Sequence, residues 1–313
     1  LYATLYSFPA MMKRNLMKGS VIPRYSGLPT VLKENGYYNL FFMTHEGQYD
    51  NMNAFFRTNG YDEVFSQENY PADKVVNSFG VQDDFLYDYA IPVLNQRAAT
   101  GQPFFATLLS ISNHPPYVIP PFFHPKTSEP ETQIVEYADW ALRKFFEEAR
   151  KQPWFDNTIF VLEGDHGKLV GDAECELPES YNHIPLMIYS SRIHPEEKNT
   201  FGGQVDIQPT ILGLLNIDYL QNNFGVDLLK EERPCMFYTA DNMIVGRNDT
   251  LLYLYNYETQ QEFTYHIDNG KLKAVPMDDR FLPLKEYSFS MLQSAEFLVK
   301  HGKTVNSVPV TQQ

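Results

Sequence analysis

No apolar run in the 313-residue sequence approaches the ~20 residues needed to cross a bilayer, so no membrane span is expected within it. Cysteine is nearly absent. Cys175 and Cys235 are too few for a disulfide framework, and their separation leaves both pairing and redox compartment open. Basic residues are outnumbered, with 25 Lys and Arg against 39 Asp and Glu, and the net charge of -14 argues against nucleic acid or an anionic membrane surface as a partner. An anionic substrate would then need a local positive centre, such as a bound metal. Internal repeats are missing, and a composition 43% hydrophobic and 15% aromatic excludes a disordered chain. No signal peptide is visible. The opening Leu1-Tyr2-Ala3-Thr4-Leu5-Tyr6-Ser7-Phe8 reads as mid-helix, so the sequence is expected to be a piece of a longer chain whose targeting or membrane-anchoring segment lies further upstream.

What is present alternates between strand-like and helix-like patterns. A helix is expected from the start until Pro9 interrupts it, then a loop over residues 23–29 and a short helix stopped by Asn35-Gly36. Tyr38-Asn39-Leu40-Phe41-Phe42-Met43 and Phe104-Phe105-Ala106-Thr107-Leu108-Leu109 read as buried strands. Between them, residues 83–97 repeat at helical spacing. Ile134, Ala138, Ala141, Leu142, Phe145 and Ala149 recur at three and four, predicting the clearest helix. Thr158-Ile159-Phe160-Val161-Leu162 and Pro185-Leu186-Met187-Ile188-Tyr189 follow as strands, and Asp206-Ile207-Gln208-Pro209-Thr210 opens another helix. This rhythm predicts an α/β fold with a central, mostly parallel sheet covered by helices on both faces. After about residue 216 the texture changes to antiparallel strands over residues 251–255 and 262–267, a turn at Asn269-Gly270 and a last helix from Leu284 to His301. The expected division is an α/β core over residues 1–229, with its N-terminal part missing, and a small α+β subdomain over residues 230–313 packed on it.

The stretch Glu163-Gly164-Asp165-His166-Gly167 sets a carboxylate beside an imidazole where a buried strand stops. Ligands gather at the carboxyl ends of strands in open α/β sheets. The two glycines allow a sharp turn there. A carboxylate oxygen with an imidazole nitrogen suits zinc or manganese better than calcium or magnesium, which prefer oxygen shells. The same residues also suit a polar turn with no ion. Histidines stand at the ends of two further strands, His45 and His114, and strand ends of one parallel sheet converge on one rim. Tyr49, Asp50, Asn51 and Asn53 supply phenol, carboxyl and amide groups that suit either a polyol or phosphate ester or an ordinary capped turn. His183 precedes a strand and reads either as a packed residue or as one that orients a ligand from behind.

Taken in order, Gly60-Tyr61-Asp62, Ser112-Asn113-His114-Pro115, Tyr137-Ala138-Asp139, Trp154-Phe155-Asp156-Asn157-Thr158, Gly164-Asp165-His166-Gly167, His183-Ile184-Pro185-Leu186 and Asp206-Ile207-Gln208-Pro209-Thr210 resemble the sulfatase-like branch of the alkaline phosphatase superfamily. Within it the series is most similar to the phosphoglycerol transferases of the lipoteichoic acid synthase type, over roughly residues 1–229. The resemblance implies a divalent metal on Asp165 and His166, typically manganese with zinc, magnesium and calcium as alternatives. It implies substrate contacts from His114, in a catalytic role, and from His45, and places Tyr49 and Asn51 where the synthases carry a Trp and an Arg that this sequence lacks. It also implies an extracytoplasmic catalytic domain on a membrane protein, acting on a phosphate or sulfate ester with a lipid or polyol headgroup. The hydroxyl nucleophile and the first acidic ligand have no matching position and are expected upstream of Leu1; Thr4 reads as a helix residue. Three functions follow as expectations: a metal-dependent phosphoglycerol transferase or phosphoric ester hydrolase working through a covalent intermediate, a sulfatase, or an inactive fragment or binding module.

Overall fold

A computed structural model of the chain describes residues 1–19, 21–169 and 171–306. The chain opens with α1 (Tyr2–Tyr6), which ends at Ser7 in the left-handed region, before Pro9 is reached. Next comes α2 (Leu28–Glu34), with Pro29 in its first turn and the expected stop at Asn35 and Gly36, whose φ is +83°. Three strands then form a parallel sheet: β1 (Tyr38–Met43) at the centre, β2 (Glu63–Phe65) on one side and β5 (Phe104–Leu109) on the other. Between them lie α3 (Met52–Thr58), the hairpin of β3 (Val75–Asn77) and β4 (Gly80–Val81), and α4 (Asp83–Ala98).

β1 reads as a continuous apolar run because both its faces are covered. Leu40 and Phe42 pack with Leu86, Ala90 and Leu94 of α4 and with Phe145 and Ala149 of α5 (Pro130–Ala149). Phe41 and Met43 point the other way, into a core with Leu5 and Tyr6 of α1, Phe55 and Phe56 of α3, and Ala295 near the C-terminus.

The strand over residues 158–162 was expected in one parallel sheet with β1 and β5, but it lies in a two-stranded sheet of its own. β6 (Phe160–Glu163) and β7 (Leu186–Tyr189) pair antiparallel, with Val161 opposite Ile188. A parallel return requires a crossover element, whereas among the described residues the connection from Gly164 to Pro185 holds only the short 3₁₀ turn Glu179–Tyr181. The chain therefore doubles back beside itself. α6 (Ile207–Leu214) follows.

The remainder is a five-stranded antiparallel sheet in chain order: β8 (Met236–Ala240), β9 (Met243–Arg247), β10 (Leu251–Asn256), β11 (Gln261–Asp268) and β12 (Lys271–Ala274). The Asn269-Gly270 turn joins β11 to β12, and α7 (Leu282–Lys300) lays Leu292 against Phe237 and Ile244. The β8–β9 hairpin escaped the sequence reading. Among the described residues no helix is long and apolar enough to cross a membrane.

A buried ion pair ties this sheet to the first part of the chain. Asp206, fully buried before α6, receives Arg233 Nε on both carboxylate oxygens at 2.9 and 2.8 Å, and also the backbone N–H groups of Gly203 and Val226 at 2.9 Å each. Arg233 Nη1 reaches the Tyr287 hydroxyl of α7 at 2.9 Å. Removing one partner of such a pair strands the other charge in the interior, at a cost of about 3–5 kcal/mol. Arg233→Ala is expected to lower unfolding free energy by that order in denaturant titrations. The apolar double variant Asp206→Leu with Arg233→Met is expected to remain destabilised, because the two backbone N–H groups lose their acceptor; recovery of full stability would show that Asp206 serves Arg233 alone.

Candidate functional site

The loop leaving β6 is held on both sides by the chain that doubles back. Gly164 N–H donates to the Pro185 carbonyl at 3.3 Å and Gly167 N–H to the Tyr181 carbonyl at 2.8 Å. A Cβ on Gly167 would lie 2.0 Å from the Ser180 carbonyl oxygen, so this close approach of two backbones needs glycine. Gln204, in the 3₁₀ turn that ends at Asp206, donates its amide to the Asp165 carbonyl at 2.8 Å and to the Gly164 carbonyl at 3.3 Å.

This frame fixes the Asp165 and His166 side chains. Asp165 Oδ1 accepts the His166 backbone N–H at 3.0 Å. His166 Nδ1 lies 2.8 Å from the Gly167 carbonyl oxygen. A carbonyl only accepts, so Nδ1 carries the proton and the lone pair of the neutral ring sits on Nε2. That nitrogen is 3.9 Å from Asp165 Oδ2, within the span of one ion bonded ~2.1 Å from each. Both side chains are more than half exposed, at 57% and 66%. The donor chemistry therefore fits a divalent metal. Among the described residues no third His, Cys, Asp or Glu completes a ligand set with them.

Glu163, the last residue of β6, lies beneath the pair. One carboxylate oxygen accepts the Thr4 hydroxyl of α1, and the other is buried without a partner. Burial raises its pKa, the Thr4 hydrogen bond opposes the rise, and the neighbouring Asp165 charge adds to it. Thr4 is thus a buried helix residue bonded to a carboxylate.

His114 stands at the end of β5 and adopts the same local device as His166. Its Nδ1 is 2.8 Å from the Pro115 carbonyl oxygen, which leaves Nε2 outside that bond. Phe79, between β3 and β4, lies 4.4 Å from its ring centroid. On the other side of that hairpin Gly80 packs on Thr44 and His45, and Val81 N–H donates to the Thr44 carbonyl at 3.2 Å. The hairpin thereby bridges the ends of β1 and β5. Lys168 joins the remaining pair of loops: its ammonium reaches the Tyr117 hydroxyl at 3.4 Å and sits 5.6 Å from that ring. The loops of His114 and of Asp165-His166 are neighbours, with a cation across them.

His45 lies deeper than its position at a strand end implies, only 2% exposed. Its Nδ1 donates to the Glu46 carbonyl at 3.0 Å and its ring packs 4.8 Å from Tyr49. Burial lowers its pKa, outweighing the Glu46 hydrogen bond and the Asp50 and Glu68 charges, so the ring is held neutral. Tyr49 is half exposed above it. Asn51 donates its amide to the Met17 carbonyl at 3.2 Å and Asp50 pairs with Lys18 at 2.6 Å, both within the protein, while Asn53 accepts from Arg57. His183 is exposed in the segment that runs beside Gly164 and Gly167, its backbone N–H bonded to Glu179, and its ring has no hydrogen bond to Asp165 or His166 among the described residues.

Gln204, Lys168, Tyr117 and Phe79 belong to the site but were given no role from sequence, and Glu163 was named there only as the start of the Asp-His stretch. Lys168 and Glu163 each stand one glycine away from the Asp-His pair, which is a signal; the others meet it only through folding.

Comparison with known proteins places the chain in a family. The family model described as Sulfatase matches residues 1–217. Lipoteichoic acid synthase 1 of Bacillus subtilis (strain 168) is 26% identical over 274 residues, covering 80% of this chain and 41% of that protein. The lipoteichoic acid synthase of Staphylococcus saprophyticus is 26% identical over 235 residues, 66% of this chain and 35% of its own length. The chain thus spans well under half the length of these curated relatives. Among solved structures, a protein in the alkaline phosphatase superfamily from Vibrio parahaemolyticus superposes with a TM-score of 0.86 at 25% identity, over 97% of this chain and 76% of that one. The lipoteichoic acid synthase LtaP of Listeria monocytogenes gives 0.79 at 23% identity, over 96% and 79%. The central parallel sheet under its helices, with the antiparallel sheet added at the C-terminal end, is the alkaline phosphatase-like fold, and the chain belongs to the sulfatase family.

Proposed function

We propose that the intact protein is a metal-dependent phosphotransferase or phosphoric ester hydrolase, of the phosphoglycerol transferase kind, working outside the cytoplasm on a lipid or polyol phosphate ester. The observation that carries this is the Asp165 carboxylate beside an imidazole whose Nε2 is freed by the Gly167 carbonyl. Asp165 and His166 would hold the ion, manganese in first place and zinc, magnesium or calcium as alternatives. The chemistry it would supply is neutralisation of the ester oxygens and acidification of a hydroxyl nucleophile.

The chain's own residues account for the proton and the orientation. With Nδ1 committed to the Pro115 carbonyl, His114 acts through Nε2 and must be an imidazolium to give up a proton there. As the nucleophile's oxygen, already ionised with its proton lost to solvent, bonds to phosphorus, the bond from phosphorus to the leaving oxygen breaks. The departing alkoxide keeps that electron pair and takes the His114 proton. A polyol or water then attacks the covalent intermediate and restores the nucleophile, returning a proton to Nε2. The nucleophile itself has no match in this sequence. Lys168, on a chain of net charge -14, brings a positive charge to the rim where an anionic ester oxygen would lie. Glu163 lies beneath Asp165 and holds α1 through Thr4.

The description of the matching family model favours a second reading, hydrolysis of a sulfate ester at the same site. Parallel assays of the full-length protein on bis(p-nitrophenyl) phosphate, p-nitrophenyl phosphate and p-nitrophenyl sulfate separate the two. Phosphate-ester turnover alone is expected, and turnover of the sulfate alone would assign a sulfatase.

Asp165→Ala in the full-length protein is expected to abolish manganese-dependent turnover; undiminished activity would rule out the metal assignment. Gly167→Ala forces the Asp165-His166 loop away from Ser180 and is expected to weaken manganese binding about tenfold or more, by analogy with other changes that misorient ligands, in isothermal titration calorimetry. Unchanged affinity would show that the loop's path does not set the ligand geometry.

A further inference from the structure

The segment that runs from the β3–β4 hairpin into α4 wraps the loop bearing His114, and its innermost contact is made by a carboxylate. Asp83, the first residue of α4, is 2% exposed. Its Oδ1 accepts the backbone N–H of Ile111 at 2.9 Å and that of Ser112 at 3.0 Å. The Ser112 hydroxyl accepts the Asp83 N–H in return, at 3.0 Å, and is itself buried. Two residues on, His114 N–H closes a turn onto the Ile111 carbonyl at 2.9 Å. The carboxylate therefore grips the base of the turn from which the imidazole projects.

Other contacts from the same segment stand along the loop beyond. Gln82 donates its amide to the Val118 carbonyl, Asn77 reaches the Pro116 carbonyl at 3.5 Å, and Phe79 covers one side of the His114 ring. Each of these is partly exposed or long. Two buried hydrogen bonds join Asp83 to Ser112, a third, partly buried, holds the Ile111 N–H, and all three act on the residues between β5 and His114. Buried N–H groups deprived of their acceptor would have to find another by moving the turn. Because His114 Nδ1 is fixed to its own neighbour's carbonyl, any such movement carries Nε2 with it as a unit.

We infer that Asp83 is a positioning residue for His114: it never meets the substrate but sets where the His114 Nε2 proton is delivered. This rests on the role proposed above for His114. The general-acid contribution of a well-placed imidazole is sensitive to displacements of the order of 1 Å, which can cost about a hundredfold in rate. Asp83 does not contact Asp165 or His166, so metal binding should be indifferent to it.

A double-mutant cycle in the full-length protein tests this, with manganese and bis(p-nitrophenyl) phosphate as the probes. Asp83→Ala is expected to lower kcat about tenfold to a hundredfold, with KM within about twofold and manganese affinity unchanged by calorimetry. Asp83→Asn keeps an acceptor oxygen in place and is expected to retain most of the rate. The cycle decides between positioning and general support of the fold: in the His114→Ala background, Asp83→Ala should cost nothing more, because the group it positions is gone. If Asp83→Ala multiplies the loss in that background, or leaves kcat at the wild-type level while His114→Ala lowers it, the inference is overturned and the His114 role stands. If His114→Ala itself leaves turnover unchanged, the role proposed for His114 fails and takes the inference with it. Should Asp83→Ala not fold, Ser112→Ala removes the reciprocal acceptor at less cost to the core, and the same cycle with the same criteria applies.

Discussion

The buried pair of Asp206 and Arg233 connects the two parts of the chain and, through its neighbours, the site. Asp206 anchors the 3₁₀ turn at residues 204–206, and the side chain of Gln204 on that turn holds the carbonyls of Gly164 and Asp165. Arg233 in turn leads into the antiparallel sheet and touches Tyr287 of α7. A charge stranded in the interior is costly enough that the pair is made or broken as a unit. The turn, and with it the backbone of the Asp165-His166 loop, is therefore held from the C-terminal side of the molecule as well as from the strands that lead into it. A C-terminal sheet with no residue of its own among the candidate ligands still bears on the geometry of the site.

The second recurring constraint is local. His45, His114 and His166 each donate Nδ1–H to the carbonyl of the following residue, which fixes the tautomer and orients Nε2 without help from a distant partner. What separates them is environment. His166 is exposed beside a carboxylate and presents a lone pair, as a ligand must. His114 is half-buried beside Phe79, with Nε2 outside the Nδ1 hydrogen bond. His45 lies in the core end of β1, where burial holds it neutral. Three strand-end histidines that look alike in sequence are thus placed at different depths below one rim, and the β3–β4 hairpin is what couples the deepest to the next.

The parts of this arrangement visible in the sequence were those encoded over a few residues. The continuous apolar runs of β1 and β5, the helical period of α5 and the adjacency of Asp165 to His166 each follow from neighbours along the chain. The ordered motifs carried the family because each motif is short and its spacing is kept. The placement of β6 beside β1 and β5 in one parallel sheet failed because its apolar composition says nothing about its partner; the path of the chain from Gly164 back to Pro185 pairs it with β7 instead. The contacts that assemble the site were out of reach. Gln204 meets Asp165 across 39 residues of chain, and Lys168 meets Tyr117 across 51, through side chains that read as ordinary surface polar groups. The burial of His45 was likewise hidden, since it depends on Gly80 and Tyr49 closing over the end of β1.

The central claim is that Asp165 and His166 hold one divalent ion through a carboxylate oxygen and the freed Nε2. Anomalous diffraction from crystals of the full-length protein grown with manganese tests it most directly. The account requires a manganese peak within ~2.0–2.3 Å of both Asp165 Oδ2 and His166 Nε2, with His166 Nδ1 still on the Gly167 carbonyl. A peak bound elsewhere, or a site that stays empty while His166 turns its Nδ1 away from Gly167, would contradict it.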